Sequence, residues 1–203
     1  MEKTSITADL KYAFGNDHVR GLLLITFFLQ TTLLMIQPVT SLYVSQLMNH
    51  SGNIELVSGI IMSSGGVAGA LTTTLWGKLG QSKGYYKAIT VTLSLAGCIT
   101  ILQSLPDSVI GFGLCQFLAG CFVIGANPSI NAALVKFTPS DFRGRVFGLS
   151  NTAQQFGNMW GPLLSSAISM TFGLWEVYAA AGLIQLALGI IVYANRVRHK
   201  ENG

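Results

Sequence analysis

The amino-acid sequence predicts an all-α membrane protein, a bundle of six transmembrane helices with both termini in the cytoplasm. Three observations predict this class. Only 10% of the 203 residues are charged and 50% are hydrophobic, whereas a soluble domain has about 25% charged residues. Six long runs of the sequence contain no charged residue. When the loops between these runs are assigned alternately to the two sides of a membrane, all 12 lysines and arginines fall on one side.

The charge-free runs are long enough to cross a bilayer, which takes about 20 mainly apolar residues per helix. We predict a polar cytoplasmic segment at 1–19, a membrane domain at 20–195 and a basic cytoplasmic tail at 196–203. A short amphipathic helix is expected around Ala8–Phe14. The predicted spans are 21–47, 56–76, 88–104, 109–135, 146–170 and 174–195. A soluble helical protein is excluded because its surface would need far more charge.

The basic loop between the second and third spans, Gly77–Lys87, sets the orientation. Lys78 and Lys83 lie within it and Lys87 ends it, and lysines hold such a loop on the cytoplasmic side. Gly80 and Gly84 can adopt positive φ, so we expect both to take part in a sharp reversal. The basic residues are dispersed among several loops at a membrane surface, which indicates lipid and not nucleic acid as their partner.

Glycines four residues apart occur in two spans. Gly65 and Gly69 lie in the second span, and Gly157 and Gly161, followed by Pro162, lie in the fifth. This spacing lets two helix backbones approach closely. We therefore predict these residues as helix-packing positions.

Amide side chains recur at helical spacing in three spans. They are Gln30 and Gln37 in the first span, Asn127 and Asn131 in the fourth, and Asn151, Gln154, Gln155 and Asn158 in the fifth. These faces should avoid lipid, where an unsatisfied amide is costly. Two interpretations stay open. The amides join helices by hydrogen bonds, or they line a central cavity for small amphiphilic or organic molecules.

The sequence predicts no enzyme, cofactor or metal site. The histidines are predicted to lie in loops or tails, and the charge-free runs hold no Asp or Glu. Neither an HExxH nor a Walker A motif is present. Three cysteines, Cys98, Cys115 and Cys121, make an odd number without a CxxC pair, which argues against a disulfide framework or a metal site.

The basic loop resembles a motif of the major facilitator superfamily, roughly Gly-x-Leu-x-Asp-Arg-x-Gly-Arg-Arg/Lys. Gly77, Leu79, Gly84 and Lys87 fit this pattern, whereas Gln81 replaces the family's Asp. Two further segments, Gly125–Pro128 and Phe142–Pro162, resemble helices ten and eleven of bacterial drug:proton antiporters in that superfamily. The resemblance covers essentially the whole chain, as helices seven to twelve.

This resemblance implies one half of the superfamily fold, built of two inverted three-helix repeats, in the inner (plasma) membrane of a bacterium. It further implies the C-terminal half of a multidrug efflux antiporter that uses protons as its coupling ion. Such a half needs an N-terminal six-helix half, or a second copy of itself, for activity. The alternative is a half-size membrane protein that acts as a self-dimerising carrier or channel, or as a structural or regulatory component.

Overall fold

A computed structural model describes residues 6–201 of the protein, with side chains at residues 9–195. The described chain forms seven helices joined by short turns and contains no strand. The helices are α1 (Ile6–Gly15), α2 (Asp17–Leu47), α3 (Ile54–Lys83), α4 (Tyr85–Leu102), α5 (Val109–Phe137), α6 (Arg143–Thr171) and α7 (Leu174–Glu201). The predicted all-α class is therefore confirmed. The side chains of the predicted basic tail, 196–203, lie outside the described residues.

Five of these helices are long and apolar enough to cross a membrane. They are α2, α3, α4, α5 and the Leu174–Asn195 part of α7. Helix α6 has 29 residues, the same length as α5, but it does not reach the same apolarity. The membrane class is confirmed by the five helices, while the predicted sixth span at 146–170 stays a prediction.

Polar side chains mark where two of the long helices begin. The Asn16 side-chain oxygen accepts hydrogen bonds from the backbone N–H groups of His18 and Val19, at 3.0 and 3.2 Å. Ser108 Oγ accepts one from Gly111 N–H at 3.2 Å. Each cap satisfies backbone donors that have no partner within the first turn of a helix, so α2 and α5 have well-defined starts.

The expected loop at Gly77–Lys87 is a single-residue turn in the structure, and the expectation of a reversal at Gly80 was wrong. Helix α3 continues to Lys83, and Gly84, with φ of 97°, is the one residue before α4 begins. Gly80 is helical and buried, and a Cβ atom built on it would lie 3.0 Å from the Tyr85 ring. One positive φ at Gly84 is enough to reverse the chain. The absence of a side chain at Gly80 instead lets the Tyr85 ring pack closely against it.

The helices pack mainly in three pairs. Helix α3 lies along α5, α6 lies along α2, and α4 lies along α7. If α2, α3 and α4 are exchanged in order with α5, α6 and α7, the α3–α5 pair becomes the α6–α2 pair, and the α4–α7 pair is unchanged. This pairing is expected for two three-helix repeats of the kind found in transporters.

The buried interior is divided into two hydrophobic clusters along the length of the bundle. One contains Leu22 and Leu29 of α2 together with residues of α4, α5 and α7. The other contains Met35 of α2, Phe112 of α5 and Tyr178 of α7. On α2 and α7 the two clusters are separated by buried polar residues, which place a polar layer in the middle of an otherwise apolar core.

Candidate functional site

Helix α6 packs on α2 through a face that has no side chains at its centre. A Cβ atom built on Gly157 would lie 2.6 Å from the Phe27 carbonyl oxygen. One built on Gly161 would lie 2.8 Å from the Thr31 carbonyl oxygen. Any side chain at either position would therefore meet backbone, and the glycines let the two helices touch directly.

One flank of α6, beside this packing face, carries the row of amides. Asn151 and Gln155 are exposed, and Asn158 Nδ2 donates a hydrogen bond to Gln155 Oε1 at 2.6 Å. The Asn158 oxygen is buried and has no hydrogen-bond partner among the described residues. A flank of this kind is costly to expose to lipid hydrocarbon.

The opposite flank of α6 is apolar. Phe156, Trp160 and Leu163 are exposed there. The hydroxyl of Thr152, on the same flank, donates to the Gly148 carbonyl at 3.0 Å, so it presents no unsatisfied donor. Helix α6 therefore has one side suited to lipid and one side that is not.

The other predicted cavity amides lie on α2 and α5. Gln30 is half-buried and lies next to α6. A Cβ atom built on Gly157 would lie 2.9 Å from the Gln30 Cβ atom. Gln37 and Asn131 are exposed, and Asn127 is half-buried. The structure thus brings Gln30 to the amide-bearing helix, while the other three amides lie on partly open helix surfaces.

Two of the grooves on the described bundle are well defined, and neither is lined by a predicted cavity amide. One of about 570 Å³ runs along the outer face of α3, between Glu55 and Val67, beside Phe117 of α5. The other, of about 250 Å³, lies between α1, α2 and α6. The exposed amides among them, Gln37, Asn131, Asn151 and Gln155, therefore lie outside both grooves.

Sequence reasoning missed the most buried amide among residues 9–195. Gln185 of α7 is fully buried, and its Nε2 donates to Thr32 Oγ1 of α2 at 3.1 Å. Its Oε1 accepts from Thr100 Oγ1 of α4 at 3.2 Å. These bonds join three helices in the polar layer between the two hydrophobic clusters. The signal available in the sequence was a lone amide within an apolar run.

Helix α3 is fixed to α5 by hydrogen bonds to one carbonyl group. The Cys121 carbonyl oxygen accepts from Trp76 Nε1 at 2.7 Å and from Thr72 Oγ1 at 2.9 Å. A Cβ atom on Gly125 would overlap the Trp76 ring. Gly125, which the resemblance placed in helix ten, therefore makes the space that the indole ring occupies.

The residues of the predicted loop motif are distributed over a helix end, a turn and a helix start. Gly77 and Leu79 lie in the last turns of α3, Gly84 forms the turn, and exposed Lys87 lies in the first turn of α4. Within residues 9–195, no three His, Cys, Asp or Glu side chains are grouped as a metal site would require.

His18 lies in the first turn of α2, although its position in the sequence suggested a loop. Its ring stacks on Phe137 of α5, with centroids 4.4 Å apart. Its Nδ1 atom lies 3.0 Å from the hydroxyl oxygen of Tyr86 at the start of α4. This cluster joins the ends of three helices on the side that carries the basic residues.

Comparison with known proteins places this arrangement in a family. The sequence pattern of the Major Facilitator Superfamily matches residues 22–203. A multi-drug resistance efflux pump PmrA homolog of Lactococcus lactis is 32% identical over 149 residues, which are 73% of this chain and 37% of that protein.

The multidrug resistance protein MdtG of Escherichia fergusonii is 30% identical over 183 residues, 90% of this chain and 45% of the relative. MdtG of Salmonella schwarzengrund is 31% identical over 167 residues, 82% of this chain and 41% of the relative. The chain thus spans less than half the length of these curated relatives. It belongs to the Major Facilitator Superfamily, a family of transporters and not of enzymes, and is a multi-pass protein of the bacterial inner membrane.

Proposed function

We propose that the chain forms the C-terminal half of a multidrug efflux transporter driven by the proton gradient. In this proposal all six long helices cross the membrane and both termini are cytoplasmic. The amides of α2, α5 and α6 line one wall of a substrate cavity, and an N-terminal six-helix half supplies the other wall. The relatives' description as multidrug efflux pumps and resistance proteins supports the substrate class.

The polarity of α6 carries this proposal. A helix of 29 residues packed lengthwise on α2 has the length and neighbour of a membrane helix, yet one of its flanks bears exposed amides at Asn151 and Gln155. Hydrocarbon cannot satisfy these groups. A water-filled cavity between two bundles would satisfy them, and such cavities lie at the interface between the repeats of secondary transporters.

The orientation is supported by the distribution of basic residues. Lys78 and Lys83 lie at the end of α3, Lys136 at the end of α5, and Arg143 and Arg145 at the start of α6. All belong to the same side if six helices cross the membrane, and positively charged loops remain in the cytoplasm.

The orientation can be tested with single cysteines in a background without the native ones. Ser51, in the turn before α3, and Ser82, in the last turn of α3, are both exposed. In intact cells, Ser51→Cys should react with a membrane-impermeant maleimide and Ser82→Cys should not. The reverse labelling pattern would contradict the proposed topology.

The proton-coupling group would belong to the other half. Proton transfer at membrane depth normally requires an ionisable side chain, and the charge-free runs of this chain provide none. Glu55 and Glu176 lie only in the first turns of α3 and α7. Alternating access also needs two bundles that rock around a central site.

Transport measurements test the proposal directly. We expect no proton-driven ethidium efflux from proteoliposomes that contain the purified chain alone. Co-expression with a matching N-terminal half should restore efflux. In the restored transporter, Gln37→Leu, Asn127→Leu and Gln155→Leu should alter substrate preference more than protein abundance, because each removes an amide from the proposed cavity wall.

Two outcomes would contradict this proposal. Efflux by the purified chain alone would show that neither a second type of bundle nor its carboxylate is needed, as a self-dimerising carrier would behave. Equal losses of abundance and transport in all three variants would show that the amides join helices and do not contact substrate. Leu75→Ala, on the apolar outer face of α3, serves as the matched control.

A further inference from the structure

The groove between α1, α2 and α6 is formed by apolar side chains from all three helices. Its walls include Leu10 and Phe14 of α1, Leu24 and Phe27 of α2, and Ala153 and Phe156 of α6. Thr152 also borders the groove, but its hydroxyl is hydrogen-bonded to the Gly148 carbonyl. The groove therefore offers no unsatisfied side-chain donor from α6 and suits a hydrocarbon chain.

Helix α1 is held over this groove by specific contacts. Asp9 forms an ion pair with Arg145 of α6, with 3.3 Å between Oδ1 and the guanidinium nitrogen. The Tyr12 ring packs on Phe142 with centroids 4.2 Å apart. These contacts make α1 one wall of the groove and leave Leu10 and Phe14 partly exposed at its edge.

The groove opens on the apolar side of the bundle and is narrow. Leu24 and Phe28 of α2 and Phe156 and Trp160 of α6 continue from it as exposed apolar surface, whereas the amides lie on the other flank of α6. Its volume of about 250 Å³ is below the range of about 300–1,000 Å³ typical of pockets for drug-sized molecules. One lipid acyl chain fits this shape better than a compact ligand.

A guanidinium group lies at the mouth of the groove. Arg20 is exposed; one of its nitrogens is 2.8 Å from Asp17 Oδ1 and another donates to the Phe14 carbonyl at 3.5 Å. These contacts use two of the five N–H donors of the side chain. Exposed Lys11 of α1 adds positive charge at the same end of the bundle, where Arg145 of α6 is already paired with Asp9.

We propose that this groove binds an anionic phospholipid of the cytoplasmic leaflet, with one acyl chain between α2 and α6 under α1 and the phosphate at Arg20. The assignment rests on the membrane orientation proposed above and goes beyond drug transport. It follows from the match between an apolar groove that faces hydrocarbon and basic side chains at the level of the headgroups, where anionic lipids attract them.

Native mass spectrometry of the full chain, purified in mild detergent and exchanged with defined lipids, tests the assignment. We expect the protein to retain phosphatidylglycerol more strongly than phosphatidylcholine. Arg20→Gln should weaken phosphatidylglycerol retention roughly five-fold, since one basic residue contributes on this order at an anionic surface. Ala153→Phe, which fills the groove, should weaken the retention of both lipids.

Two matched variants separate the groove from general effects. Lys83→Gln removes one exposed positive charge from the end of α3, and Ala70→Phe adds a ring on the exposed face of the same helix. Both should retain phosphatidylglycerol like the unaltered protein. Because Arg20 is exposed, its variant tests the idea even if Ala153→Phe lowers the yield of folded protein.

Three results would overturn the assignment. They are equal retention of the two lipids by the unaltered protein, an unchanged Arg20→Gln variant, and an equal loss in Lys83→Gln. A further result would also contradict it: the protein binds tetraphenylphosphonium, loses that binding in Ala153→Phe, and does not retain phosphatidylglycerol. The groove would then bind a lipophilic cation and not a phospholipid. The three lipid results would leave the proposed efflux function unchanged, because no cavity amide borders the groove.

Discussion

Helices α3 and α6 hold equivalent places in the two three-helix units, and they differ in the surface that each leaves open. Both pack through glycines four residues apart, α3 on α5 and α6 on α2. At the α3–α5 contact, a Cβ atom on Gly69 would overlap the Ile124 side chain, and one on Gly120 would overlap the Gly65 backbone. At the α6–α2 contact, the nearest atoms to Gly157 and Gly161 include backbone carbonyls.

The outer faces of the two helices differ in polarity. Helix α3 exposes a mainly apolar row formed by Leu56, Ile60, Val67, Leu71 and Leu75, whereas α6 exposes amides on one flank and apolar rings on the other. Close helix contact thus restricts the packing residues of both units to small side chains. The outer face carries no such restriction, so it is free to adapt to lipid or to a cavity.

The largest effects are expected from filling the glycine contacts. Gly69→Leu in α3 and Gly161→Leu in α6 should each lower stability by about 3 kcal/mol or more, the upper part of the range for overpacking, because fixed atoms lie within contact distance. Thermal denaturation in detergent measures this. Gly66→Leu and Gly148→Leu are the controls, since a Cβ atom at either site meets nothing within 4 Å. An unchanged melting profile for Gly161→Leu would show that this face of α6 is not packed.

A second test distinguishes packing of the Trp76 ring against Gly125, on α3 and α5, from direct contact between helix backbones, as on α6 and α2. Gly125→Ala alone should destabilise the protein, but in a Trp76→Ala background it should cost little, because the ring that it overlaps is gone. We expect a coupling energy of about 1–3 kcal/mol for this pair, within the range for residues in contact. Unfolding of the two single variants and the double variant measures it.

The corresponding cycle on α6 should behave differently. Gln30→Ala keeps the Cβ atom next to Gly157, and the Phe27 carbonyl oxygen stays where it is. The effects of Gly157→Ala and Gln30→Ala should therefore add to within about 0.5 kcal/mol. Strong coupling here would mean that a side chain, and not the backbone, determines how closely α6 packs, as the Trp76 ring does for α3.

A smaller effect is expected for the buried amide. Gln185→Leu removes the bonds to Thr32 and Thr100, and interhelical hydrogen bonds in membrane proteins contribute about 0.6 kcal/mol on average and about 1.7 at most. We expect a loss of stability within these limits. A much larger loss would show that the polar layer determines how α2, α4 and α7 come together, as opposed to adding modestly to their packing.

The smallest effect on stability is expected on the outer faces. Gln155→Leu on α6 should change stability by no more than about 0.5 kcal/mol, as is usual for exposed positions. In membranes, and in a background without native cysteines, Gln155→Cys should react with a water-soluble maleimide, whereas Leu71→Cys on α3 should not. Equal protection of both thiols would remove the contrast between the two faces.

The class of this protein and the approximate positions of its apolar helices could be predicted from the sequence alone. Charge-free runs of about 20 residues predict membrane helices because charges are costly in hydrocarbon, and this signal needs no tertiary contact. The amides of α6 were recognised as one set from their spacing along the helix. That set remains a prediction for a cavity wall.

The neighbour that lies against each residue could not be predicted from the sequence and is seen in the packed bundle. Helical periodicity fixes the angle of a side chain around its own axis, but it does not say which helix occupies that direction. Gly80 could therefore be taken for a turn residue although it packs against Tyr85, and Gln185 gave no sign that its partners lie on α2 and α4. The choice of neighbour depends on the combined packing of all the helices, because each buried polar group must meet its partner in the same arrangement that closes the glycine contacts.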